Sequence, residues 1–255
     1  MTNKTSIIVT TFNRRNFLPI CLQTLSNQLL KPEVIVVNDA GDNVQDVVDQ
    51  FNDQLDIKYV EHTENKGLGA ARNTGLRLAT GNYVGFLDDD DGLYPYHTHM
   101  LASVLNTVDA PVAYSDAVRI TQIRKDDAYL VQNKDIPYSI DFNPEMLLVQ
   151  NITPVTAVMV NREKTGEIRF DETLNVYEDW DLWIRLSLAH TFFHTATPTC
   201  YYTWRTDGTS MSSSRPAFRD LIPEIYSRYR DNASDLVKKA QNNLLNSRSL
   251  PIFID

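Results

Sequence analysis

The sequence predicts an α/β fold, a mainly parallel twisted sheet flanked by helices on both faces. Three observations predict it. Short β-branched runs alternate with helical patterns through the first hundred residues, which is how parallel strands joined by helical crossovers read. Three of those runs end on side chains able to hold a ligand: Thr10 with Thr11, Asp39, and Asp88-Asp89-Asp90-Asp91. Ligands in such sheets collect at the carboxyl ends of the strands. Finally, 255 residues with 42% hydrophobic and 22% charged side chains suit one large domain or two tightly joined halves.

The elements follow in order. "SIIVTTF" (6–12) reads as a buried strand, and "FLPICLQTLSNQ" (17–28) as a helix with Phe17, Leu18, Cys21, Leu22 and Leu25 at helical spacing. "EVIVVND" (33–39) is a strand, "VQDVVDQFND" (44–53) a helix and "IKYVEH" (57–62) a strand. "GLGAARNTGLRLAT" (67–80) has helical character, with Gly81 as its stop, and "YVGFLD" (83–88) is the fourth strand. Beyond residue 110 the pattern loosens. Strands are expected at 111–120, 156–163 and 197–205, a polar loop at 121–135 and a strong helix at 178–190. Residues 206–216 have a mobile loop's composition, and the chain finishes as helix, interrupted near Pro223.

Charge narrows the partners. The net charge of −9 and pI near 5.0 argue against nucleic acid, whose phosphates need clustered Lys and Arg. A phosphorylated small molecule is still accessible if a metal supplies positive charge. The N-terminus lacks a signal peptide's apolar core, and no run approaches the roughly 18 apolar residues that span a bilayer. Cys21 and Cys200 lie far apart, with no metal or redox spacing. Together these features predict a soluble cytoplasmic protein.

"GFLDDDDGLYP" (85–95) sets four carboxylates behind an apolar run. Two like charges about 4 Å apart repel by roughly 4 kcal/mol at an effective dielectric of 20, so the cluster faces water or surrounds a cation. An EF-hand register fails: Gly92 at the sixth position puts Leu87 first and Thr98 twelfth. Alternate carboxylates in a turn can instead share Mg2+ or Mn2+, with phosphate and water completing the shell. "KGLGAARNTG" (66–75) breaks the dinucleotide pattern G-x-G-x-x-G at Arg72. Lys66 and Arg72 remain phosphate or nucleobase candidates, or else a helix start with a surface ion pair. His97 and His99 point about 200° apart on a helix, so they are taken as surface or packing residues. In "NVYEDWDLWIRLSL" (175–188), Glu178 and Asp179 read equally as helix-capping carboxylates or as a general base.

Taken together these stretches resemble the family 2 glycosyltransferases, an inverting group with the GT-A fold, across about residues 5–210. The resemblance rests on "SIIVTTFNRRNFLPICLQTLSNQ", "EVIVVNDAGD", "NKGLGAARNTGLRLATGNYVGFLDDDD" and "EDWDLWIRL" in that order. It implies a catalytic domain over 1–215, with a nucleotide-sugar half (1–110) and an acceptor half (111–215), and a helical tail over 216–255. It implies a D-x-D metal pair of Asp88 and Asp90 for Mn2+ or Mg2+, Asp90 being the direct ligand. Asp89 would lie towards metal, water or ribose, and Asp91 near the donor sugar or supporting the loop. Thr10, Phe12, Asn13 and Asp39 would form the base and ribose pocket, with Lys66 and Arg72 nearby. Asp179 takes the base role, supported by Glu178. Arg205 stands where basic groups close over the diphosphate, although Thr206-Asp207 replaces the histidine that members often carry there.

The implied activity is hexosyl transfer from a nucleotide-diphosphate sugar, UDP favoured, to a hydroxyl of a glycan, polysaccharide or lipid-linked acceptor. A lipid-linked acceptor would bring the protein to the membrane peripherally; oligomeric state is not legible. Two other classes compete: a non-catalytic nucleotide-sugar-binding homologue, and a sugar nucleotidyltransferase. The latter would open with a Gly-rich turn, whereas "TTFNRRN" has no glycine.

Overall fold

A computed structural model describes residues 4–126, 128–137, 139–207 and 215–246. The chain runs β1 (Thr5–Thr11), α1 (Leu18–Ser26), β2 (Glu33–Asn38), α2 (Gln45–Asp49), β3 (Asp56–Glu61), α3 (Leu68–Leu78), β4 (Tyr83–Asp88) and β5 (Gly92–Leu93). It continues through α4 (His97–Thr107), β6 (Val112–Lys125), β7 (Ala128–Asp135), α5 (Pro144–Leu147), β8 (Val158–Asn161) and α6 (Arg162–Thr165). Then come α7 (Glu178–Ser187), β9 (Phe192–Arg205), α8 (Arg215–Arg228) and α9 (Asp235–Asn246).

These strands make one sheet in the order β3-β2-β1-β4-β8-β6-β9-β5, with β7 paired to β6. The predicted parallel half is β3-β2-β1-β4, all parallel pairs. The second half mixes directions: β8 runs antiparallel to β4 and β6, while β6 and β9 are parallel. Every residue of β1 and β2 is buried, because helices cover both faces and leave no polar side to show. Side chains alternate across the strand, so Ile8, Ile35 and Phe86 pack under α3, α7 and α8, whereas Ile7, Val34 and Val36 pack under α1, α2 and α4. Gly75 makes the α3 contact close: a Cβ there would lie 2.3 Å from Ile8 Cγ2.

Four local expectations change. Residues 121–135 are a hairpin rather than a loop, β6 continuing to Lys125 and returning as β7. β7 is mostly exposed and the facing end of β6 half-buried to exposed, so no apolar alternation marked them as strands; cross-strand pairing and the Arg119–Asp135 fork (2.9 and 2.6 Å) hold them. Pro223 sits inside α8 without ending it, and the break falls between Arg228 and Asp235. Burial of Ile222, Ile225 and Tyr226 offsets the hydrogen bond that proline removes. α3 ends at Leu78, and Gly81 answers a different need, since a Cβ would lie 2.6 Å from Ser6 Oγ. β9 begins five residues before its expected start. Most of the expected 206–216 loop lies outside the described residues. His97 is a packing residue, bonded to Thr199 Oγ1 at 2.6 Å and driven down to about 3 by burial.

Glu33 anchors the amino ends of β1–β3. Burial alone would raise its pKa, but donation from Lys58 (2.7 Å), Ser6 (2.5 Å) and Thr80 N and Oγ1 (2.8 and 2.9 Å) outweighs it. The result is a carboxyl held down to about 2. A depressed carboxylate stabilises the fold above its unfolded pKa, near 4.3, and that contribution fades as pH falls towards 2. Glu33→Gln should therefore lower the denaturant midpoint at pH 7, with the gap to wild type narrowing at pH 3.

Candidate active site

A cavity of about 450 Å3 opens at the carboxyl ends of β1 and β4, where α7 begins and β9 passes. The tight turn Asp91 N–Asp88 O (3.0 Å) closes the acidic run at the end of β4 and fans its four side chains onto arginine, threonine and backbone donors. Asp88 Oδ1 accepts from Arg72 Nη2 at 2.8 Å and Thr10 Oγ1 at 3.3 Å. Asp89 accepts from Thr11 Oγ1 at 2.6 Å and Arg14 Nη1 at 3.4 Å. Asp90 Oδ2 takes Arg14 Nη1 at 2.9 Å and Arg205 Nη1 at 2.6 Å. Asp91 accepts from Thr156 Oγ1 at 2.9 Å and Thr203 N at 3.0 Å. Three arginines, therefore, stand among the carboxylates. Burial, reinforced by Asp90, pushes Asp89 up to about 7, and burial drives Asp91 well above the carboxylate range.

Arg72 joins this cluster to the second acidic site. Its Nη1 donates to Glu178 Oε1 at 2.5 Å while its Nη2 holds Asp88. Burial lifts Glu178 to about 7 against the pull of Arg72. Asp179 follows it at the start of α7, its Oδ1 accepting from Trp180 N at 2.7 Å and its Oδ2 from Asn151 Nδ2 at 3.2 Å. Burial raises this carboxyl too, opposed by the Arg72 charge. Tyr177, directly before the pair, has φ +61°, a left-handed conformation that costs a bulky residue about 1–3 kcal/mol. It packs edge-on to Trp180, ring centroids 5.3 Å apart.

Of the sequence-predicted site residues, Thr10, Phe12, Asp39, Arg72, Asp88, Asp89, Asp90, Asp91, Glu178 and Asp179 all line this one cavity. Phe12 is 43% exposed and presents an aromatic ring at its mouth. Asp39 is heavily used inside the fold: it accepts from Lys66 N (2.9 Å) and Gly67 N (2.8 Å) and bonds His62 Nδ1 (2.7 Å). Lys66 meets the site through that backbone N–H, and its side chain is not part of the wall. Asn13 stands behind it at φ +54°, its Oδ1 accepting from Asp42 N at 2.9 Å. Arg205 is buried behind Asp90, its guanidinium 4.1 Å from the Phe17 ring centroid and 4.9 Å from that of Tyr129.

The sequence reasoning missed Arg14, Thr156, Thr203 and Asn151. Arg14 lies in "FNRRN", two residues past the predicted strand end, where a basic doublet was an available signal. The others reach the site only through tertiary packing and leave no local trace.

The donor set fits a hard divalent ion. The arginine and threonine bonds fall on Oδ1 of Asp88 and Oδ2 of Asp90, leaving each carboxylate its other oxygen outside these bonds. Among the described residues no group of three or more His, Cys, Asp or Glu forms a metal cage. Mg2+-like ions are usually held by one or two carboxylates, with phosphates and water completing the shell.

A sheet with this order, ending in such a cavity, is the GT-A fold of glycosyltransferases. The chain belongs to glycosyl transferase family 2, whose pattern residues 6–164 match. It is 34% identical over 185 residues to the uncharacterized glycosyltransferase YwdF of Bacillus subtilis, covering 71% of this chain and 67% of that protein. It spans only 31% and 16% of two further, longer glycosyltransferase relatives. Among solved structures, S. aureus TarS 1–349 in complex with UDP superposes with a TM-score of 0.68 at 20% identity, over 95% of this chain and 71% of that one. Mannosyltransferase PcManGT from Pyrobaculum calidifontis, in complex with GDP-Man and Mn2+, does so with 0.64 at 18% identity, over 99% and 78%. Among the described residues no helix is long and apolar enough to cross a membrane.

Removing Arg72 would strand the buried Glu178 carboxylate and take the cation from the half-buried Asp88. Breaking a buried pair costs about 3–5 kcal/mol, so Arg72→Ala should lower the melting temperature sharply. Arg72→Lys, which keeps charge but loses the two-pronged fork, should fall between.

Proposed function

We propose that the protein transfers a hexosyl group, with inversion, from a nucleotide-diphosphate sugar to an acceptor hydroxyl. The observation that carries this reading is the single guanidinium of Arg72, which ties Asp88 of the acidic run to Glu178 beside Asp179. The groups suited to a diphosphate and the group suited to a proton are thereby held in one cavity. Burial makes the Asp179 carboxyl more basic, as suits a group that takes a proton.

In the proposed step Asp179 accepts the acceptor's hydroxyl proton. That oxygen forms its bond to the anomeric carbon as the bond from that carbon to the diphosphate oxygen breaks on the opposite face. The nucleoside diphosphate leaves, and one displacement inverts the centre. Arg14, in the cavity wall beside Asp89 and Asp90, adds positive charge where the leaving group gains negative charge. Asp88 and Asp90 would hold Mn2+ or Mg2+, which when bound supplies further charge stabilisation at the phosphates. Phe12 offers its exposed ring to the nucleobase, and Glu178 fixes Arg72.

A UDP-sugar is favoured as donor: TarS has been solved with UDP and with UDP-GlcNAc, while GDP-Man in PcManGT makes GDP the second choice. The acceptor is a glycan, polysaccharide or lipid-linked sugar hydroxyl.

Thermal-shift titration against UDP-, dTDP- and GDP-sugars, with and without Mn2+, should single out the UDP series. Ligand at 100 times its Kd adds about 2.7 kcal/mol of stability, and no response from any nucleotide would overturn the reading. With the responding donor, Asp179→Asn should lose about 10²–10⁴-fold in turnover while keeping its nucleotide shift. Because Asp179 acts as a base with a raised pKa, wild-type kcat/KM should fall with acid at a pH above the ordinary aspartate value near 3.9. Full activity in Asp179→Asn would sink the base assignment.

A further inference from the structure

The base proposed above needs two things from its surroundings: a fixed direction and a stable charge. The helix supplies one contact, Trp180 N to Oδ1 at 2.7 Å. The other comes from across the cavity. Asn151, in the segment between α5 and β8, reaches Oδ2 with its Nδ2 at 3.2 Å, and both side chains line the cavity. A carboxylate has about four lone-pair sites, so two protein donors leave two for a substrate proton.

The amide's orientation is fixed from both sides. Asn151 Oδ1 accepts from Thr153 N at 3.4 Å, which turns Nδ2 towards Asp179; the flipped amide would set an oxygen against a carboxylate. The titratable groups facing Asp179 are Arg72 from α3, Asp88 from β4, and Glu178 and Tyr177 beside it. Residues 148–154, "LVQNITP", bring no titratable side chain. Asn151 is thus the contribution of this segment to the Asp179 carboxylate, and it is a neutral donor.

We propose that Asn151 is a positioning residue for the transfer reaction: its amide N–H aims the Asp179 carboxylate into the cavity and holds it in the charged form. This rests on Asp179 being the base. The segment that carries it also contributes Gln150, Pro154 and Val155 to the cavity wall. The same stretch of chain therefore borders the substrate and sets the base, so an acceptor that displaces this segment would also alter the carboxylate's donor.

Two substitutions separate donation from shape. Asn151→Asp keeps the size and the oxygen that Thr153 N uses, and replaces only the donor with a like charge. Asn151→Ala removes the side chain. Loss of a hydrogen bond to the ionised form raises a carboxyl's pKa, and the net worth of a hydrogen bond to a charged group corresponds to about one pH unit. The primary measurement is a 13C-carboxyl NMR titration of Asp-labelled protein, the Asp179 resonance being assigned by its loss in Asp179→Asn. The Asp179 midpoint should rise by about one pH unit in Asn151→Ala and by at least as much in Asn151→Asp. The acid limb of kcat/KM, measured with the donor found in the nucleotide screen, should move up with it. The nucleotide shift should stay near wild type in both variants, and the melting temperature in Asn151→Ala.

An unchanged Asp179 midpoint in either folded variant overturns the proposal, as does a midpoint shift with an unmoved acid limb. If Asp179→Asn is fully active, the base assignment falls and the positioning role with it. If Asp179→Asn is inactive while the Asn151 variants titrate as wild type, only the positioning role falls.

Discussion

The site depends on one buried guanidinium. Arg72 is 2% exposed, and burial by itself would favour its neutral form; Asp88 and Glu178 reverse that and hold it charged. Glu178 needs the arginine as much, since an unpaired charge in its buried position would carry a desolvation penalty of several kcal/mol, whereas Asp88 keeps part of its contact with solvent. Because α3 supplies Arg72, β4 supplies Asp88 and α7 supplies Glu178, one side chain fixes the relative placement of three elements. The cavity is the space those elements leave.

Around this bridge the acidic run divides its work. Asp89 and Asp91 turn inward to Thr11, Thr156 and Thr203, and burial pushes both towards their neutral forms. They hold the turn. Asp88 and Asp90 keep an oxygen each outside their arginine bonds, and they are the pair proposed to meet the metal. Arg14 and Arg205 balance Asp90 from two directions, which is how so many carboxylates share a small volume. Left-handed residues border the same region: Asn13, Ala40 and Tyr177 have φ of 54°, 60° and 61°. Strain of that kind persists where surrounding packing over-determines the backbone.

How legible this was depended on how each residue earns its place. β1, β2 and β4 were readable because a strand covered on both faces must be apolar throughout, and the chain writes that as unbroken runs such as "IIV" and "VIVV". The β6–β7 hairpin was not, because it is held by cross-strand pairing and ion pairs, which impose no period on an exposed sequence. Likewise Asp88 to Asp91 stood out by composition, whereas Asn151 sits in "VQNIT" and meets Asp179 from 28 positions away in the chain. Glu178 and Asp179 fell between these cases, visible as acids at a helix start but equally readable as caps.

By itself the sequence determined the α/β class, the succession of the first four strands along the chain, the carboxyl-end location of Thr10, Asp39 and the acidic run, and the family. Those follow from local periodicity and from motifs whose residues are neighbours in the chain. Only the tertiary structure decided which carboxylates keep an oxygen outside the protein's own bonds and which are bonded at both, that arginines supply the cations within the acidic run, and that Arg72 joins that run to Glu178. Such assignments depend on burial and on donors from distant segments, and a linear sequence specifies neither until the chain has closed around them.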